Sequence, residues 1–278
     1  IIVAGLGEQK QLARKIALIS SFLSLGLVLV LWKNFNAASG ELQFVEKHEW
    51  IAALGANYFV GVDGLGLLML LLTAIITPMA MLASWRVGGR ADLPVGQDAQ
   101  QRVPTGHSSH LFFALILFLQ AGLFGTFTAL NFFHWFIFWE LSLIPAFFLV
   151  RLWGGPERAP AATQFFVYTM VGSVAMLLAF LAIFLSTGKF DFTALAELGR
   201  NGTLASALSA KLGWFDLTTN QLALVIFGGV LLGFAVKVPL MPFHTWLPAT
   251  YSEAPSGVTM LLTGVMSKMG VYGFVRIV

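Results

Sequence analysis

Seven stretches of the chain are apolar over about the length that a helix needs to cross a bilayer, roughly 20 residues. They are residues 16–32, 64–85, 111–129, 132–152, 162–187, 220–240 and 256–278. Residues 111–150 are too long for one crossing at about 1.5 Å per residue, so we place a boundary near Asn131. The pattern predicts an all-α protein, a polytopic bundle of transmembrane helices.

The composition supports a membrane protein and excludes several kinds of chemistry. The chain is 58% hydrophobic and 10% charged, whereas soluble domains average about 25% charged residues. The absence of cysteine excludes disulfides, cysteine nucleophiles, Cys-type zinc sites and thiolate-bound iron–sulfur clusters. The sequence contains neither a phosphate-binding loop nor a Rossmann glycine pattern, and it lacks the basic cluster that nucleic-acid binding requires.

Both termini predict that this sequence is a fragment. It begins "IIVAGLGEQKQLARK", with no Met and with the basic residues after the apolar stretch, the reverse of a signal peptide. We interpret the start as the tail of a membrane helix, with Lys10, Arg14 and Lys15 outside it. The final "GVYGFVRIV" is still apolar. Residues 1–85 are then N-terminal transmembrane helices, the first of them truncated.

The loops between these spans alternate between two sides, which differ in charge. One side carries eight basic residues, namely Lys10, Arg14, Lys15, Arg86, Arg90, Arg102, Arg151 and Arg158. The other carries six, namely Lys33, Lys47, Lys189, Arg200, Lys211 and Arg276. The positive-inside rule favours the first side as cytoplasmic, which makes residues 86–110 a polar cytoplasmic loop. A segment at 190–215 has an amphipathic pattern and is predicted to lie along the opposite surface.

Three charges remain inside the predicted spans: Glu140, Lys237 and Lys268. Glu140 and Lys268 lie near mid-span, whereas Lys237 is close enough to one end for its stem to snorkel. A charge at the bilayer centre costs roughly 2.5–3.5 kcal/mol on insertion scales. Such side chains are therefore expected to face the bundle interior, either paired or hydrated.

Two interpretations of these charges are open. A static salt bridge between Glu140 and one lysine would fix helix packing, but it leaves the second lysine without a carboxylate. A proton relay would use both lysines, because burial disfavours the protonated form of a lysine and a nearby carboxylate favours it. A movable carboxylate would then switch a lysine between holding and releasing its proton.

A proline follows each of two of these charged residues, Lys237 and Glu140, within five positions in the sequence. Pro239 lacks an N–H and clashes with the carbonyl of Ala235, so the helix should break two residues after Lys237. Freed carbonyls at membrane depth are tolerated only where they line a cavity or are buried in protein, and a broken helix is typical of transporter ion sites. Pro145, five residues after Glu140, repeats the arrangement.

The histidines are less specific. His244 follows the predicted break and could take up protons near neutral pH, although an interfacial or capping role fits equally. His134 does not share the helical face of Glu140. His48, His107 and His110 are predicted to lie in loops. A bis-histidine haem needs two histidines at matching depths, and we find no convincing pair.

Several motifs together resemble the antiporter-like subunits of respiratory complex I. They are "YFVGVDGLGLLMLLLTAIITPMAMLASW", "FWELSLIPAFFLVRLWGG", "FFVYTMVGS", "VKVPLMPFHTWLP" and "LLTGVMSKMGVYGFVRI". The resemblance implies an antiporter-like fold with two inverted five-helix repeats, of which residues 111–278 would be the first. It also implies that Glu140, Lys237 and Lys268 form a proton relay, with the break at Pro239.

The resemblance implies a function at the level of a complex. The chain would be the proton-translocating subunit of an NADH:quinone oxidoreductase, an enzyme only as part of that translocase, in a bacterial inner membrane. It would bind no cofactor or metal, since NADH, FMN, iron–sulfur clusters and quinone are expected on other subunits. Its partners would be neighbouring antiporter-like subunits, their lateral helix and the lipid bilayer.

This sequence departs from the family pattern after "HTWLP". The family has Asp-Ala-His there, whereas this chain has Ala249, Thr250 and Tyr251. Tyr251 or Glu253 could compensate for the missing histidine and aspartate at the cytoplasmic mouth. The second repeat and its usual exit residue are absent from this sequence.

Three alternatives to this function stay open. Subunits of Mrp-type cation/proton antiporters and of membrane-bound hydrogenase or formate-linked complexes share this fold and these charges. A purely structural role, in which the chain only scaffolds other helices, is the third class of function.

Overall fold

The computed structural model describes residues 3, 10–51, 55–85, 87, 109–212 and 217–277. Within these ranges seven helical segments are long and apolar enough to cross a membrane. The helices and strands are, in order, α1 (Lys10–Asn34), β1 (Gln43–Ile51), β2 (Ala56–Val62), α2 (Gly64–Ala83), α3 (Ser109–Thr128), α4 (Phe132–Trp153), α5 (Arg158–Thr187), α6 (Phe192–Arg200), α7 (Thr203–Leu212), α8 (Thr219–Lys237), α9 (Trp246–Glu253), α10 (Ser256–Leu261) and α11 (Ser267–Ile277). A π-helical turn, Leu262–Met266, joins α10 to α11 in the seventh span.

The predicted boundary between the third and fourth spans is confirmed. Asn131 ends the turn after α3 and caps α4, because its side-chain oxygen accepts hydrogen bonds from the backbone N–H groups of Phe133 and His134. Its amide nitrogen donates to Asp191 at 2.7 Å. A short polar residue at this position therefore satisfies the first backbone donors of α4 and ties them to a distant loop.

The first span begins earlier than predicted. Helix α1 includes Lys10, Arg14 and Lys15, whereas the predicted span began at residue 16. Lysine and arginine are good helix formers, and their long stems carry the charge away from the apolar surface. Arg14 uses its reach to donate a hydrogen bond to the carbonyl of Val87 at 3.1 Å.

An antiparallel β-hairpin between α1 and α2 was not predicted. Strand β1 pairs with β2, with His48 opposite Tyr58. The hairpin lies on the start of α4, since Leu130 donates to the Phe59 carbonyl at 2.8 Å. Strand β1 has almost no buried side of its own, so no hydrophobic alternation marks it in the sequence.

The predicted loop positions of two histidines are corrected. His48 lies in β1 and His110 in the first turn of α3, not in loops. His107 and most of the predicted cytoplasmic loop at 86–110 fall outside the described residues. The predicted division of the chain at residues 85, 110 and 111 stays a prediction.

The bundle has two distinct ends, here called the hairpin end and the break end. At the hairpin end Lys47 pairs with Asp191 at 2.6 Å, and Arg276 pairs with Asp63 at 2.6 Å. At the break end the backbone N–H of Glu157 donates to the Glu253 carboxylate at 2.9 Å. Each contact joins loops that the charge pattern assigned to one side, so that assignment is confirmed. Which end is cytoplasmic stays a prediction.

The segment predicted at 190–215 forms two short helices, α6 and α7, in its described part up to residue 212. Asp191 holds its start at the hairpin end through Lys47 and Asn131. Phe192 is buried, whereas most of the α6 side chains are half-buried or exposed. This burial is consistent with a helix pair on the surface of the bundle.

Helices α5 and α8 pack closely through small residues, as "VYTMVGSVAM" and "GGVLLG" lead one to expect. A Cβ added at Gly233 would lie 2.6 Å from the Cβ of Met176 and 3.0 Å from the Gly172 carbonyl. A Cβ at Gly172 would lie 2.9 Å from the Cβ of Val236. This close approach fixes the rotation of α8, whose last residue is Lys237.

Candidate functional site

The break after Lys237 is confirmed, and the protein itself satisfies the freed backbone. Helix α8 ends at Lys237, and α9 begins only at Trp246. The Ala235 carbonyl, which Pro239 would obstruct in a continuous helix, accepts a hydrogen bond from the backbone N–H of Leu240 at 2.8 Å. The Val236 carbonyl accepts one from the indole of Trp246 at 3.1 Å. The carbonyls are therefore buried in protein, one of the two conditions under which irregular backbone persists at membrane depth.

Lys237 points into the bundle and does not snorkel. It is only 4% exposed, and its Nζ lies over the ring of Trp139, 5.0 Å from the centroid. The Trp139 indole in turn donates to Ser173 Oγ at 3.0 Å. A cation over an indole face is stabilised by the ring quadrupole, most strongly when desolvated. Trp139 and Ser173 lie in motifs that resemble the family, but only the structure brings them to the lysine.

Glu140 lies near Lys237 without forming a salt bridge to it. Among the described side chains the N···O contacts within 4.0 Å are Lys47–Asp191 and Arg276–Asp63, and neither involves Glu140 or Lys237. The static pair that the sequence left open is therefore not present as a direct contact. Trp139, which contacts Lys237, donates to Ser173, and Ser173 lines the same cavity as Glu140.

Glu140 lines a cavity between α4 and α5. The cavity has a volume of about 380 Å³, and its other lining residues are apolar except Ser173. Glu140 is half-buried, and its Oε1 is buried with no hydrogen-bond partner among the described residues. A buried carboxylate oxygen without a partner is costly, which makes this oxygen available to a proton, a water or another donor.

Within the bundle that the described residues form, Lys268 does not face the interior as predicted. This side chain is exposed, and its Nζ donates to the Thr263 carbonyl at 2.5 Å and to Ser267 Oγ. The reason is the packing of α11 on α8. Gly270 and Gly273 face Phe234, and a residue two or five positions earlier on a helix points away from that contact.

The second break, expected beside Glu140, does not occur. Helix α4 runs without interruption from Phe132 to Trp153 and includes Pro145, which is buried. Proline removes one hydrogen bond in such a helix, but membrane helices tolerate this where neighbouring helices pack around it. Glu140 therefore lies on an intact helix and Lys237 at the end of a broken one.

The candidate residues beyond the break, His244, Tyr251 and Glu253, lie at the break end. They differ in whether their polar groups are already hydrogen-bonded or can exchange a proton. His244 is half-buried, and its Nδ1 has no hydrogen-bond partner in the part of the chain that the structure describes. Glu253 is engaged, because its carboxylate accepts from Glu157 and its carbonyl from Gly155. Burial raises the pKa of Tyr251 to about 12, so its hydroxyl stays protonated at physiological pH. Of the three, His244 has the free lone pair or proton that a proton path needs.

Sequence reasoning missed a cluster at the hairpin end. Arg276 donates to both carboxylate oxygens of Asp63, at 2.6 and 3.1 Å, and to the hydroxyl of Tyr272 at 3.0 Å. The Tyr272 hydroxyl donates to the Phe127 carbonyl at 3.0 Å. A bidentate arginine–carboxylate pair fixes both partners in orientation. The signal in the sequence that could have indicated this cluster was that the charge pattern assigned Asp63 and Arg276 to the same side of the membrane.

Comparison with known proteins shows the family. A family profile described as "NADH:quinone oxidoreductase/Mrp antiporter, TM" matches residues 129–278, more than half of the chain. The chain therefore belongs to this family of antiporter-like integral membrane proteins.

Individual relatives agree with this assignment. F(420)H(2) dehydrogenase subunit M from Methanosarcina mazei is 37% identical over 276 residues, covering 99% of this chain and 50% of the relative. NADH-quinone oxidoreductase subunit M from Rhodobacter capsulatus is 34% identical over 264 residues, covering 95% of this chain and 47% of the relative. This chain thus spans about half the length of these relatives.

Solved structures show the same fold. A chain of respiratory complex I from Thermus thermophilus matches with a TM-score of 0.72 and 28% identity, covering 99% of this chain and 50% of that one. A chain of the Mrp complex from Dietzia matches with a TM-score of 0.72 at 21% identity, covering 99% of this chain and 27% of that one. The predicted antiporter-like helix bundle with a broken helix is confirmed.

Proposed function

We propose that this chain acts as a proton-translocating membrane subunit of an NADH:quinone oxidoreductase-type complex, in which Glu140 and Lys237 pass protons within the bilayer. Electron transfer would occur on other subunits, and its free energy would drive the protons. Relatives such as NADH-quinone oxidoreductase subunit M from Rhodobacter capsulatus support this proposal. Neighbouring membrane subunits would be its partners.

The observation that carries the proposal is the state of Lys237. Its ammonium is buried and lies over the ring of Trp139, the residue next to Glu140 in the chain. Burial favours loss of its proton, whereas approach of the Glu140 carboxylate favours retention. A lysine held between these opposing effects can be loaded and discharged by small changes in the position or charge of Glu140. His244 would supply protons from the break end, and Lys268 would need a group outside this chain to complete a path.

The test compares two substitutions at Lys237 in the assembled complex in its native membrane. Lys237→Ala removes the ionisable group, and Lys237→Arg keeps a positive charge that is not released at physiological pH. A relay predicts that both variants lose most of the protons pumped per electron, with Lys33→Ala, an exposed lysine, unchanged. If Lys237→Arg pumps as well as the parent, a static role replaces the relay.

An Mrp-type cation/proton antiporter is the second candidate, because the matching family profile includes both classes. Proton movement driven by a sodium gradient, without an electron donor, would favour it. Proton movement that requires electron transfer to quinone would favour the first proposal.

A further inference from the structure

A second cavity lies at the hairpin end, away from Glu140 and Lys237. It has a volume of about 440 Å³ and is lined by His48, Glu49, Trp50, Tyr58, His134, Ile137 and Phe138. Strands β1 and β2 form one wall and the first turns of α4 form the other. The proposed proton path uses none of these residues.

Aromatic rings dominate the walls of this cavity. The ring of His134 lies 4.9 Å from that of Tyr58, 5.0 Å from that of Phe138 and 6.1 Å from that of Trp50. The His48 ring stacks on Tyr58 at 6.3 Å. An organic ammonium group that enters a space surrounded by aromatic rings is stabilised wherever it lies over a ring face.

The charge at the cavity has the matching sign. Glu49 is exposed and forms no salt bridge within 4.0 Å to any described side chain. Lys47, the nearest lysine on β1, is engaged elsewhere, with Asp191 at 2.6 Å and over the ring of Phe59 at 4.7 Å. An unpaired carboxylate beside aromatic faces attracts a cation and disfavours an anion.

His134 is the second, independent sign of a ligand. It is 6% exposed, and its Nδ1 has no hydrogen-bond partner. No described residue hydrogen-bonds to this nitrogen, which can accept a hydrogen bond when the other ring nitrogen carries the proton. A buried acceptor without a donor gains one if a group bearing N–H enters the cavity. A metal ion fits less well, because the described His, Asp and Glu side chains form no cluster able to hold one.

The position of the cavity favours an amphiphile. Its walls include the N-terminal turns of a membrane span, and Ile137 is 36% exposed on the outer surface of α4. Aromatic side chains at this level of a membrane protein meet the lipid headgroups. A ligand here can place its polar group in the cage and its chain along the apolar surface.

We infer that the cavity between the β-hairpin and α4 is a binding site for the protonated amine of a membrane amphiphile, held by Trp50, Tyr58, Glu49 and His134. The amine enters the aromatic cage beside the carboxylate, and the acyl chain follows Ile137 into the bilayer. This inference does not depend on the proton relay.

The test uses native mass spectrometry to measure how well the purified, delipidated protein in its native assembly retains phosphatidylethanolamine. Phosphatidylglycerol is the anionic comparison. Glu49→Gln and Trp50→Leu should each weaken phosphatidylethanolamine binding about two- to fivefold, the range of an exposed cation–π contact. The matched controls are Glu46→Gln on the same strand and Trp32→Leu, an exposed tryptophan on α1. Neither should alter retention.

A second arm separates a lipid from a free amine as the source of the ammonium, with n-butylammonium as the probe. If n-butylammonium binding alone follows the pattern of the variants, the cage is a site for a free organic amine. The inference is overturned if Glu49→Gln and Trp50→Leu change neither ligand, or if phosphatidylglycerol depends equally on both residues. Unchanged melting temperatures of the variants will show that folding is not the cause.

Discussion

At the scale of the residue, the hydrogen bond from Trp246 to Val236 makes the helix break compatible with a membrane interior. Breaking α8 frees backbone carbonyls beside a buried ammonium, where an unpaired acceptor costs about 1–3 kcal/mol. The Trp246 indole is 3% exposed and donates to the Val236 carbonyl at 3.1 Å. One side chain thus both fills the space next to the break and pairs a polar group within it.

We predict that Trp246→Phe lowers the stability of the protein by about 1–3 kcal/mol, because the ring is largely kept but the donor to the Val236 carbonyl is lost. Thermal unfolding in detergent measures the change. Trp32→Phe is the matched control, since Trp32 is 57% exposed and should give no shift. Equal melting temperatures for Trp246→Phe and the parent would show that water satisfies this carbonyl.

At the scale of the element, the contact between α5 and α8 determines which way Lys237 faces. Gly172 and Gly233 bring the two backbones together, so α8 cannot rotate without separating the helices. Gly228, on the same helix, would place an added Cβ where nothing lies within 4 Å. A comparison of Gly228 with Gly233 therefore distinguishes the effect of helix packing from that of intrinsic helix propensity.

Gly233→Ala should destabilise the protein by about 1–3 kcal/mol, because the new methyl group overlaps the Cβ of Met176 and the Gly172 carbonyl. Gly228→Ala should be neutral or stabilising by up to about 1 kcal/mol, since alanine is the better helix former. Chemical unfolding in mixed micelles compares the pair. A loss of similar size in both variants would contradict the packing account.

At the scale of the whole molecule, the chain is a bundle whose two ends are tied by different contacts. The hairpin end carries Lys47–Asp191 and Asp63–Arg276, and the break end carries the Glu253–Glu157 contact. Each contact links segments far apart in sequence. The described loops therefore form two groups, one on each face of the membrane.

Cysteine labelling tests this two-sided arrangement directly, because the chain contains no cysteine. Ser39→Cys and Asn201→Cys, both exposed at the hairpin end, should react with a membrane-impermeant maleimide in intact cells. Ser252→Cys, exposed at the break end, should react only after permeabilisation, as the positive-inside rule predicts. The reverse pattern would overturn the polarity, and labelling of all three from one side would contradict the bundle.

Much of the fold and part of the candidate site could be predicted from the sequence. The seven spans, the boundary at Asn131 and the break at Pro239 follow from local chemistry, namely apolar length, capping and a missing N–H. The hairpin could not be predicted, because β1 is exposed along most of its length. Nor could the continuity of α4 through Pro145, which depends on neighbouring helices that pack around the proline.

The sequence by itself determined that this is a membrane protein and that Glu140, Lys237 and Lys268 lie in its apolar stretches, because the bilayer imposes a length and penalises charge wherever the chain crosses it. Only the tertiary structure decided where those charges point. Lys237 faces Trp139 and Lys268 faces outward, although both are lysines in apolar helices. The physical reason is that the direction of a helical side chain is set by the face that packs, and close contacts at Gly172, Gly233 and Gly270 choose that face.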